Sequence, residues 1–84
     1  MPHFTKRIPY EQGFLYFYFN RIYTVSGTKY HVSVNSKRML HYFMMEDGDN
    51  GWHFSNVALL PPWIIELQKD IENAIVEHEA GEGQ

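Results

Sequence analysis

Residues 14–19 read Phe-Leu-Tyr-Phe-Tyr-Phe. In an extended chain successive side chains alternate between two faces, so this run sends large apolar or aromatic groups both ways and needs cover on both sides. Further along, the pattern becomes a true alternation: Tyr30, Val32 and Val34 on one face, His31, Ser33 and Asn35 on the other. Residues 39–45 and 52–57 are also strand-like, and turn signals separate the runs. Val25-Ser26-Gly27-Thr28 is the first reversal, where Gly27 can take a positive φ. Asn35-Ser36-Lys37-Arg38 is the second. Asp47-Gly48-Asp49-Asn50-Gly51 is the third and contains Asn-Gly, the strongest short hairpin signal in the chain. Residues 5–10, with 11–13 as their turn, are a candidate fifth strand at the sheet edge, the place where Pro9 is tolerated.

After residue 57 the period changes. Pro61-Pro62 stops a strand and puts Pro62 in a first helical turn, where its missing N–H is harmless. Ile64, Leu67, Ile71, Ala74 and Ile75 then recur at spacings of three and four among charged positions, which is an amphipathic helix. The pattern therefore predicts an α+β fold: an antiparallel meander of four strands, with the candidate fifth, and one C-terminal helix packed on one face. The 84 residues suffice for a single domain, with the sheet over 14–57, the helix over 62–79 and a frayed tail over 80–84. Val32, Phe43, Phe54, Leu67 and Ile71 are expected to be nearly inaccessible, and Trp52 and Trp63 to belong to the core.

Parity assigns the faces. A two-residue turn at Ser36-Lys37 pairs Val34 with Met39 and places Met39, His41, Phe43 and Met45 on the helix side, followed by Trp52 and Phe54 across an even-length third reversal. The opposite face collects Lys29, His31, Ser33, Leu40, Tyr42, Met44, His53 and Ser55. Half of the aromatic run points the same way. One helix about 25 Å long covers one face only, and Leu40, Tyr42 and Met44 are too apolar for an ordinary solvated surface, so the open face is a candidate interaction site.

Composition supports a folded chain, at 44% hydrophobic and 17% aromatic. With no cysteine, packing must supply the stability. The net charge of -3 hides a division: residues 1–42 hold six cations against one anion, +5, and residues 43–84 hold one cation against nine anions, -8. A sheet surface and a helix surface of opposite potential would result.

Reactive chemistry is not signalled. His31 and His53 share a face but lie on strands two apart, over roughly 10 Å by strand geometry, too far to share a metal ligated at about 2 Å. The Asp47–Gly51 segment glances at a calcium loop, yet Gly51 stands where the third oxygen ligand belongs and Ala58 where the closing Glu belongs. No nucleophile elbow, zinc-protease, phosphate-loop or dinucleotide motif occurs. The expectation is a non-enzymatic chain without metal or cofactor, without a membrane span or secretion signal, and cytoplasmic by default.

Two functions follow from the open face. The first is self-association as a homodimer, or docking of another protein, through the aromatic first strand and the sheet face, with Phe17 and Phe19, or Tyr16 and Tyr18, as anchors beside Leu40, Tyr42 and Met44. Residues 14–24 outrun the next strand, so their aromatic part also offers an unpaired edge. The second is single-stranded nucleic-acid binding, with Tyr16, Tyr18, Arg21, Tyr23, Lys29, His31 and Tyr42 as a stacking and phosphate-holding platform. A four-stranded meander followed by one helix resembles in layout the PUR-type and related coactivator single-strand binders. That resemblance implies a sheet that meets nucleic acid, whereas the acidic pI near 5.9 opposes it.

Overall fold

The computed structural model describes residues 3–82. It contains one five-stranded antiparallel sheet whose spatial order is the chain order. The strands are β1 (His3–Tyr10), β2 (Gly13–Thr24), β3 (Gly27–Ser36), β4 (Met39–Gly48) and β5 (Gly51–Phe54). A 3-10 turn (Val57–Leu59) leads to a short helix α1 (Pro62–Glu66) and the longer α2 (Gln68–Glu82). The α+β meander is as predicted, and the candidate edge segment is a full strand. Residues 83 and 84 of the expected tail lie outside the described residues, and α2 continues to Glu82, past the expected end at 79.

All four reversals leave two residues between paired strand ends: Tyr10↔Gly13, Thr24↔Gly27, Ser36↔Met39 and Gly48↔Gly51. An even loop preserves parity, so one set of alternate positions stays on one face through the whole sheet. At the reversal between Ser36 and Met39, Lys37 and Arg38 have φ of 52° and 66°, the doubly left-handed backbone of a tight hairpin that follows the sheet's twist. The turn is thus Lys37-Arg38 rather than Ser36-Lys37, and Val34 pairs with His41 rather than Met39. The shift is two residues, so every face assignment on β3, β4 and β5 stands.

The helix side of the sheet carries Ile8, Phe17, Phe19, Tyr30, Val32, Val34, Phe43, Met45, Trp52 and Phe54, all buried, against Ile64, Ile71, Ala74 and Ile75. Phe4 of β1 lies between the rings of Phe19, at 4.5 Å, and His78, at 4.0 Å. Leu67 is only partly buried, contrary to expectation. It is the joint between the helices, where φ and ψ of -92° and 9° leave the helical range, and its side chain packs against the core without being enclosed by it. Its N–H still donates to the Ile64 carbonyl and its own carbonyl accepts from Ile71, each at 3.0 Å.

Carboxylates tie α2 to the sheet. The buried Tyr30 hydroxyl donates to Glu79 Oε2, and Arg21 Nη1 donates to the same oxygen at 3.0 Å. Burial, and then the Glu79 carboxylate, push the Tyr30 phenol well above its ordinary value. At the far edge, the Trp52 N–H donates to Glu72 Oε2 at 3.1 Å, so the helix itself occupies a hydrogen-bonding position of the outermost strand.

Candidate interaction surface: the open sheet face

The register builds the uncovered face as rows running across the strands. One row is Ile22, Lys29, Glu46 and His53; the next is His3, Asn20, His31 and Met44; the next is Thr5, Tyr18, Ser33 and Tyr42. Beyond these lie Arg7 opposite Tyr16, Asn35 opposite Leu40, and Pro9 opposite Phe14. The face is therefore graded, charged at one end and aromatic at the other. Phe14 (55%), Tyr16 (54%), Tyr18 (51%) and Tyr42 (59%) are each about half exposed, and Leu40 is exposed beside them.

Local contacts pre-order several of these groups. The Arg7 guanidinium lies 4.2 Å above the centroid of the Phe14 ring, a cation–π contact. His31 stacks on Tyr42 at 5.6 Å with 9° between the ring planes. Glu46 takes Lys29 at 3.3 Å and His53 at 3.6 Å. The Lys29 hydrogen bond holds the Glu46 carboxyl below its ordinary value, against the opposing effect of burial. Beside the aromatic part, a groove of about 190 Å³ opens between Tyr42 and Met44 of β4 and Leu59 and Leu60 of the following segment. A second, polar hollow of about 370 Å³ lies at the charged end, beside Lys29, Glu46 and Asp47. Among the described residues no group of three His, Cys, Asp or Glu side chains converges as a metal site.

The expected site residues divide between the two faces. Tyr16, Tyr18, Lys29, His31, Leu40, Tyr42 and Met44 share the open face. Phe17 and Phe19 do not: they are 0% and 1% exposed in the core, which leaves Tyr16 and Tyr18 as the pair available for contact. Arg21 is on the helix side, held by Glu79, and Tyr23 shares its parity while remaining exposed. Neither belongs to one platform with Tyr16 and Tyr18. The supposed free edge of the aromatic strand is also absent, because β1 pairs with β2 from His3↔Asn20 to Tyr10↔Gly13. Phe14 and Arg7 are an aromatic and a cationic member of the face that are not assigned to it from the sequence. Phe14 is legible from the parity of Tyr16, and Arg7 only once residues 5–10 are given a register.

Comparison with protein-family models, curated proteins and solved structures finds no match. No helix among the described residues is long and apolar enough to cross a membrane.

Proposed function

We propose that this chain is a small interaction module whose open sheet face docks against the same face of a second copy. The observation that carries this is the contiguous set of half-exposed Phe14, Tyr16, Tyr18, Leu40 and Tyr42 on the face opposite α1 and α2. Five strands about 4.8 Å apart, over about eight residues of about 3.3 Å each, make a face of about 600 Å². Two such faces remove about 1,200 Å² from water, the lower end of what specific complexes bury. Two antiparallel sheets can pack face to face about 10 Å apart while each keeps its own twist, which is the mode of pairing open to this face and its copy. Within the strands its charge is also small, Arg7 and Lys29 against Glu46, with Lys37 and Arg38 at the rim where solvent screens them.

Light scattering coupled to size exclusion tests this. At about 100 μM, above the micromolar Kd found at the weak end for standard-size interfaces, the expected mass is twice the 10.0 kDa chain. Tyr18→Glu with Tyr42→Glu should return it to the single-chain mass with an unchanged far-ultraviolet spectrum. A native monomer at that concentration rejects the proposal.

Single-stranded nucleic acid is the second candidate occupant, favoured by one feature of the fold. The acidic residues of α2 lie behind the sheet, while Arg7, Lys37 and Arg38 stand on or beside the aromatic end of the open face. Aromatics that stack bases, with cations to hold phosphates, are what such binding needs. Its signature is affinity for an oligonucleotide that falls steeply between about 50 and 200 mM salt. The apolar contact between copies should instead change little over that range.

A further inference from the structure

We infer that mild acid separates the docked copies, with His31 as the group that senses it; this rests on the self-association proposed above. His31 lies on the third of five strands, near the middle of the open face, with its ring on Tyr42. The groups around it on this face come from every strand. β2 supplies Tyr18, Asn20 and Ile22, β4 supplies Tyr42, Met44 and Glu46, and β3 itself supplies Lys29 and Ser33. His3 of β1 ends the same row, Arg7 lies further along β1, and His53 stands on β5. The helices pack on the opposite side of the sheet. Of these groups Glu46 is the carboxylate, and it is already engaged with Lys29 and His53.

When a second copy covers the face, His31 is removed from water among tyrosines and methionine. An imidazole in that setting is better neutral, because burial penalises the charged form. In the free chain the same ring is exposed to water. The separated copies therefore bind more protons than the docked pair in acid, and lowering the pH drives separation. Repulsion acts in the same direction. The strands of each face hold Arg7 and Lys29 against Glu46, Lys37 and Arg38 stand at its rim, and each charged histidine among His3, His31 and His53 adds one more positive charge to both faces. His53 contributes less than His31, since Glu46 at 3.6 Å can pair with its charge within one copy.

Symmetry places two His31 side chains in the pair. Two protons taken up on separation raise Kd by up to about a hundredfold per pH unit over the range in which histidine charges. The test is Kd from sedimentation or light scattering at about pH 7.5 and pH 5.5, the range over which histidine charges, with circular dichroism confirming the fold at both. Native protein should show Kd rising at least about tenfold, His31→Gln should flatten that rise, and His53→Gln should keep most of it. A native Kd constant within about threefold, or His31→Gln as steep as native, overturns the switch while leaving docking intact. A native chain that is monomeric even at about pH 7.5 overturns the docking and the switch together.

Discussion

The two faces of the sheet are made by the same strands, residue by alternate residue, yet they behave as different materials. On β2, Phe17 and Phe19 are enclosed, while their chain neighbours Tyr16 and Tyr18 are half exposed. Composition does not separate them, since both sets are large and aromatic. What separates them is the helix: α2 reaches from β5 to β1 across one face, and neither described helix covers the other. A residue's energetic role here is set by parity, and its neighbour in sequence can have the opposite role.

The sharpest way to break this contrast is to cut neighbouring side chains. Phe17→Ala should remove about 3–5 kcal/mol of folding stability, the range for a large buried aromatic truncated in a packed core. Tyr18→Ala, one residue along, should change it by no more than about 0.5 kcal/mol, as surface substitutions do. Urea unfolding of both at low micromolar concentration makes the comparison, because association would otherwise add to apparent stability. Equal losses at the two positions would mean that the open face is structurally buried.

The polar contacts sharpen it next. Tyr30→Phe deletes the hydroxyl that donates to Glu79 while leaving the ring against Trp52, 5.2 Å away. A hydrogen bond to a charged group predicts a loss of about 1.5–3 kcal/mol at neutral pH. The pH dependence has a definite sign. The folded-state phenol is raised above its unfolded value of about 10, so its contribution is fully present below that value and is lost as pH rises through the folded value. Native stability should thus decline in alkali, and Tyr30→Phe should lack that part of the decline. Gly51→Ala should follow with about 1–3 kcal/mol, a strained-backbone effect, since Gly51 has φ of 103° and a Cβ there would run into the Glu72 carboxylate. Restoration of that loss by pairing Gly51→Ala with Glu72→Ala would assign it to the clash rather than to the backbone.

Much of this fold is legible in the sequence because parity tolerates even errors. The Lys37-Arg38 turn shifts the β3–β4 register by two residues from the Ser36-Lys37 expectation, and Val32, Phe43 and Phe54 still face the helix. The facing of β2 is harder to see, since Tyr16 and Phe17 are both apolar enough for a core. The signal that decides it is the first reversal: an even loop carries the face of Tyr30 to Arg21, and from there to Phe19 and Phe17. The pairing of β1 is weakly signalled because Lys6, Arg7 and Pro9 interrupt its apolar positions. Its inward residues, Phe4 and Ile8, become intelligible only beside Phe19 and Leu15. The break at Leu67 has no breaker residue to announce it. Ile64 and Ile71 are both fully enclosed, and the chain leaves helical geometry between them.

The smallest expected effect concerns charge between sheet and helix. Lys6 Nζ and Glu77 Oε2 are 3.8 Å apart, with both side chains well exposed. Solvent screens such a pair and its side chains lose freedom in making it, so Glu77→Gln should change stability by no more than about 0.5 kcal/mol. Glu79, two residues further along α2, holds Arg21 at 3.0 Å and accepts from the buried Tyr30. Glu79→Gln should therefore cost more than Glu77→Gln, because an amide holds the guanidinium without its countercharge. Chemical denaturation of the two variants side by side, with and without about 0.5 M salt, makes the check. Added salt should erase what little Glu77 contributes, because the Debye length is then shorter than about 8 Å, and should leave most of the Glu79 effect, because part-buried pairs are screened far less. Equal, salt-sensitive losses at both positions would show that α2 is held to the sheet by surface charge rather than by the enclosed side on which Tyr30 lies.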